Sequence, residues 1–170
     1  MPRLLVICAT VVMTTLLAAT VPARLRAQAK VALDPLVAIF DADPLELARV
    51  TRLLGDAEIA KRLGAGQSTE VRLAAVRAAR FMRQPEVALM ALSDLAGERD
   101  GVLAQAAVRA LVIIVRELDA DALSRREVDP QSLVPARDQL KELASREHLR
   151  ADLRSDVNAA LAMLTALVGS

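Results

Sequence analysis

With 170 residues, the chain is long enough for one domain core of ordinary size and too short for two full ones. Apolar residues make up 54% of it, but the only aromatics are two Phe, and six Gly with seven Pro are too few for a loop-rich β-protein or a disordered tail. Basic and acidic residues nearly cancel, 22 against 21, which excludes a polybasic nucleic-acid binder and an acidic tail, while one Cys and one His exclude a disulfide framework and any usual zinc site.

Residues 1–29 differ in character from the rest of the chain. Arg3 gives a positive start, Leu4 to Val21 carries no charge, and Ala27-Gln28-Ala29 places small residues where a signal peptidase reads them. These are the three parts of a secretory signal peptide. The alternative is an uncleaved membrane anchor, for which eighteen residues including four Thr is the lower edge of spanning length. A lipid anchor is rejected, because Cys8 lies near the start of the apolar run. Cleavage after Ala29 removes Arg3, Arg24, Arg26 and Cys8, leaving 19 basic against 21 acidic residues, net charge −2, and no thiol. A thiol-free chain suits an oxidising compartment. The expected location is exported, periplasmic or extracellular, with no membrane contact after cleavage.

Residues 30–170 are expected to form one helical repeat domain. Asp43-Pro44 is an N-cap followed by Pro at the first helical position, and Gly55 is the stop. Asp56 is expected to cap a short helix ending near Gly64, and Ser68 opens one running to about Met82. Pro85 starts the next and Gly97 ends it. Asp100 caps a long helix reaching Leu118. Pro135 starts another that ends near Glu147, and the last runs from about Leu149 to Val168. No segment shows sustained apolar/polar alternation with β-branched or aromatic enrichment, so no strand is expected.

The helices repeat. Val71-Arg72-Leu73-Ala74-Ala75-Val76-Arg77-Ala78-Ala79 returns 32 residues later as Leu103-Ala104-Gln105-Ala106-Ala107-Val108-Arg109-Ala110-Leu111. A weaker copy, Leu153-Arg154-Ser155-Asp156-Val157-Asn158-Ala159-Ala160-Leu161, stands 50 residues further on, and the excess matches an insertion near 119–134. A helix pair of this length, repeated, is a solenoid signature. The Val71-Arg72 pair with Ala75, Ala78 and Ala79 resembles the second helix of HEAT-type repeats over about residues 44–168. Ala104 and Val157 depart from that pattern. The resemblance implies an all-α fold, a short right-handed α-solenoid of about three stacked HEAT-like helix pairs, and a scaffold that binds protein along a curved face. Residues 31–54, with Phe40, Leu45, Leu47, Leu53 and Leu54, are expected to close the N-terminal end. Arg150, Asp152, Arg154 and Asp156 are expected to give the last helix its polar outer side.

Catalytic chemistry finds no support. His148, the only His, stands between helices without a nucleophile, and no Ser sits in a G-x-S-x-G elbow. Asp119, Asp121, Ser124 and Glu127 fail the EF-hand pattern, with Leu123 at the fifth position and Pro130 at the twelfth. Gly64-Ala65-Gly66 lacks the rest of a phosphate loop. No catalytic residue, metal ligand or cofactor is therefore expected. Nucleic acid is excluded as a partner by the missing aromatics and the negative mature charge.

The arginines are the candidate contacts. At 100° per residue, Arg72, Arg80 and Arg83 fall on one helix face, with Arg77 further round and Arg109, Arg116 and Arg154 in the later copies. The second helices of HEAT-type arrays line the concave face. Arg77, Arg80, Arg83, Arg109 and Arg116 are thus candidates for gripping an acidic protein segment. Against that stands an internal role, in which Arg72 and Arg154 bridge to acids of neighbouring repeats, Glu98 being the candidate for Arg72. The 119–134 insertion, with Arg125 and Arg126, is either a second contact surface or a solvated linker with one helical turn. The expected function is a non-catalytic exported adaptor for a protein partner. The alternatives are a tethered structural envelope protein and a HEAT-like subunit of lyase type.

Overall fold

The computed structural model describes residues 34–147 and 149–169, so the proposed signal peptide and His148 lie outside the described residues. The fold is all-α. Among the described residues there is no strand. The helices are α1 (Pro35–Ala38), α2 (Pro44–Leu54), α3 (Asp56–Leu63), α4 (Thr69–Ala79), α5 (Leu89–Ala96), α6 (Gly101–Glu117), α7 (Ala120–Arg125), α8 (Val134–Ser145) and α9 (Ala151–Val168). Single 3₁₀ turns, Pro85–Ala88 and Pro130–Leu133, lead into α5 and α8. No helix among the described residues is long and apolar enough to cross a membrane.

Short polar side chains start these helices by accepting the orphan amide protons of the first turn. The Asp43 carboxylate accepts from Leu45 N at 2.6 Å, Ser68 Oγ from Val71 N at 3.3 Å, and the Asp100 carboxylate from Val102 N at 3.0 Å. Asp56 differs from the expectation. It is already the first residue of α3, and its carboxylate accepts from Arg83 N at 3.1 Å and Gln84 N at 2.9 Å. It thereby fixes the loop after α4 to the start of α3. Gly55 holds φ at +81°, a left-handed value that costs a side-chain-bearing residue strain, and this lets α3 follow α2 without a linker.

Each short helix packs on its successor: α3 on α4, α5 on α6, α8 on α9. The second members also pack on one another, α4 on α6 and α6 on α9, as do the first members, α3 on α5 and α5 on α8. The sequence repeat is written into these contacts. Ala75, Ala107 and Val157 occupy one repeat position and are all buried, as are Ala78, Ala110 and Ala160 at another. Alanine there lets neighbouring helices approach, and Leu89, Leu92, Leu111, Ile114, Leu140 and Leu164 fill the space between them.

Two parts of the chain depart from expectation. In α2, Leu47 is buried, but Leu45 is 81% and Leu53 77% exposed, so those two leucines do not close the N-terminal end. They lie eight residues apart on the helix face opposite the buried Leu47 and Thr51. Segment 119–134 is not a solvated linker. Asp119 caps α7 by accepting from Ala122 N, and Leu123 and Leu133 are buried in the core. α7 ends in a Schellman motif, with Val128 N donating to Leu123 O at 3.0 Å and Glu127 N to Ser124 O at 3.1 Å. The left-handed residue of that motif, Glu127 at φ 56°, is not a glycine.

Candidate functional site

The arginines sort into those that hold the fold and those that face outward. Arg72, in the first turn of α4, is buried and forks onto the Glu98 carboxylate, with Nη1 to Oε2 at 3.0 Å. The expected internal bridge is therefore present. Its repeat equivalent, Arg154, behaves differently from the expectation. Among the described residues it meets no acid, and its Nη2 donates to the carbonyls of Arg146 at 2.9 Å, Glu147 at 3.2 Å and Leu149 at 3.2 Å. Arg154 thus satisfies the carbonyls beyond the end of α8 and is not part of the polar outer side of α9.

Arg62 ties α3 to the start of α1, with Nε on Asp34 at 2.8 Å and Nη1 on Glu58 at 2.9 Å. Burial acts to lower its pKa, but the hydrogen bonds and charges of Asp34 and Glu58 outweigh burial and hold the guanidinium above its ordinary value. Arg150 and Asp152 form an exposed fork at 2.7 and 3.1 Å. Hydrogen bonding from Arg150 holds the Asp152 carboxyl below the ordinary aspartate range.

A groove of about 350 Å³ opens over α4 and α6. Its floor is Leu73, Val76, Ala106, Ala110 and Ile113, with Leu47 and Phe40 at one end. Its polar lining is Arg77, Arg80 and Arg109. Arg77 and Arg109 are the same residue of the 32-residue repeat, so adjacent packed helices present the same guanidinium side by side. Arg77 stacks over the Phe40 ring, 4.5 Å from its centroid, and donates to the Phe40 carbonyl. Arg80 stacks over Phe81, also at 4.5 Å. Both contacts hold the arginines in place while keeping their charge uncompensated by an acid. In the third copy the equivalent position is Ala159, so the arginine ladder stops before α9.

α4 ends at Ala79, and Arg80, its C-cap, keeps right-handed helical angles of φ −64° and ψ −18°, so it stays on the face that carries Leu73, Val76 and Arg77, while Arg83 lies beyond the helix end. Arg77, not Arg72, shares the groove with Arg80. Arg83 is exposed and borders a separate depression with Arg80. Arg116 is exposed near the C-terminal end of α6 and lines neither space. Of the five candidate arginines, the structure brings together Arg77, Arg80 and Arg109. Sequence reasoning missed Phe40 as a wall of the groove; its rarity, as one of two aromatics, was the signal available.

No protein-family model matches the chain, and no curated protein and no solved structure matches it either. The functional reading therefore rests on the groove itself.

Proposed function

We propose that the chain is a non-catalytic adaptor, exported by its N-terminal segment, whose helical-repeat surface binds a protein partner. In this reading the paired helices are a short right-handed solenoid of HEAT-like units, and α4, α6 and α9 are the second helices of its three repeats. The observation that carries it is the groove over α4 and α6. It has an apolar floor and three arginines, Arg77, Arg80 and Arg109, none of which is ion-paired among the described residues. Guanidinium forks above an apolar floor favour carboxylates carried next to aliphatic side chains.

Capture of partners by the full chain from an envelope extract of the source organism tests the reading. One dominant protein is expected, and the triple variant Arg77→Glu, Arg80→Glu, Arg109→Glu is expected to lose it. A partner retained by the triple variant removes the groove from the reading. The export part is checked separately by sequencing the N-terminus of the cellular protein: Lys30 is expected, and Met1 contradicts cleavage.

A further inference from the structure

Resting on that adaptor reading, we infer that the partner segment is an acidic peptide with one aliphatic anchor, and that α7 forms the second half of its site. A depression of about 320 Å³ adjoins the groove and shares Arg80 with it. Its lining includes Arg83 from the loop after α4, Arg125 at the end of α7 and Arg126, the C-cap of α7, against a single lining acid, Glu117. Arg126 is already committed, with Nη1 on Glu86 at 2.8 Å and Nε on the Ala122 carbonyl at 3.2 Å. Arg83 and Arg125 are exposed and make no ion pair among the described residues.

The two spaces form one path. Arg109 and Arg77 stand at the groove, Arg80 at the junction, and Arg83 and Arg125 beyond it. Five guanidiniums without an ion pair among the described residues, against Glu117 in the lining and Asp56 at the Arg83 amide, leave a positive excess that favours an anionic occupant. The loop bearing Arg83 is held by the Asp56 carboxylate, so this half of the path is pre-formed. Leu73, Val76 and Ile113 beneath the groove accept an aliphatic side chain. A fatty acid has one charge and leaves the α7 depression without a counterion. A nucleic acid finds no ring to stack on, because both phenylalanines lie under arginines. A peptide with an aliphatic residue followed by several carboxylates meets both halves.

The test uses the full chain and a fluorescein-labelled peptide of one leucine followed by a run of glutamates, read by fluorescence anisotropy. Arg80→Glu and Arg125→Glu are each expected to weaken binding by about tenfold. Serine in place of the peptide's leucine, and Ile113→Ser in the protein, are expected to weaken it also. Added salt is expected to weaken it, and Arg137→Glu, on α8, to leave it unchanged. Thermal melts of each variant separate lost binding from lost fold. If Arg80→Glu weakens binding and Arg125→Glu does not, the role of α7 is overturned while the groove stands. If the peptide does not bind, yet the chain captures a partner that the triple groove variant loses, the acidic-segment inference fails and the adaptor reading survives. Displacement of the peptide by dodecanoate, with no dependence on Arg125, overturns the inference in favour of a lipid ligand. Failure of both peptide binding and capture removes the inference and the reading together.

Discussion

Glu127 occupies a backbone position that glycine adopts without strain. For a residue with a Cβ, φ near +56° costs about 1 kcal/mol, and here it is held by the two Schellman hydrogen bonds behind it. Glu127→Gly is therefore expected to raise stability by up to about 1 kcal/mol, seen as a higher thermal midpoint. Arg72 and Glu98 present the opposite case. The pair is enclosed on the arginine side, so removing one partner strands the other. Glu98→Ala is expected to cost about 2 kcal/mol, while replacing both by Met is expected to cost much less. A double-mutant cycle in denaturant measures the difference. Asp152 makes a third, smaller test. Its depressed pKa means that the pair with Arg150 stabilises the fold above the ordinary aspartate range and loses its effect as pH falls through the folded-state value. Arg150→Gln is expected to return the Asp152 titration, followed by carboxyl-carbon NMR, towards the ordinary range. Both side chains are exposed, so the effect on stability is small.

At the scale of elements, most helices were legible because their ends are written in short polar residues and prolines. Asp43, Ser68 and Asp100 cap the helices they were expected to cap. The repeat was legible because Ala78, Ala110 and Ala160 keep one alanine position in all three copies, and the first two copies share the Ala-Ala-Val-Arg-Ala run. Segment 119–134 was less so. Its helix stop is a glutamate where a glycine would have announced it, and its burial depends on Leu123 and Leu133, two isolated leucines in a charged run. One proline misled slightly as well: Pro85 begins a 3₁₀ turn, and the α-helix starts after it. The role of Arg154 was hidden for another reason. Its acceptors are backbone carbonyls, which every sequence has, so no side-chain pattern marks them. If α7 is part of the cooperative unit, Leu123→Ala is expected to cost about 2–5 kcal/mol in global denaturant unfolding, as for other buried leucines. A cost near zero would mean that the segment unfolds on its own.

For the whole molecule, charge is distributed by depth. Arginines such as Arg62, Arg72 and Arg126 pair with acids and hold the helices to one another, while those at the groove carry no ion pair among the described residues, although Arg77 also donates to the Phe40 carbonyl. Arg77 and Arg109 sit on the outer side of alanines that the packing requires, so their exposure follows from the same repeat that builds the core. The five groove and junction arginines crowd like charges on one side. Individual replacement of Arg83, Arg109 or Arg125 by Gln is accordingly expected to leave stability within about 0.5 kcal/mol, with the change following binding alone. The site was only half legible in the sequence. The arginines could be enumerated, and helical spacing sets Arg80 near Arg77, but Arg83 lies beyond the end of α4, where that spacing no longer positions it.

The stacking of Arg77 over Phe40 and of Arg80 over Phe81 has a practical consequence. These are the only phenyl rings in the chain. Biosynthetic incorporation of fluorinated phenylalanine gives a fluorine spectrum of two signals, one from Phe40 in the groove lining and one from Phe81 beneath Arg80, which lines both the groove and the depression. The protein is nearly invisible to ultraviolet absorbance at 280 nm, and in exchange it carries one magnetic reporter in the groove and a second under an arginine that borders it.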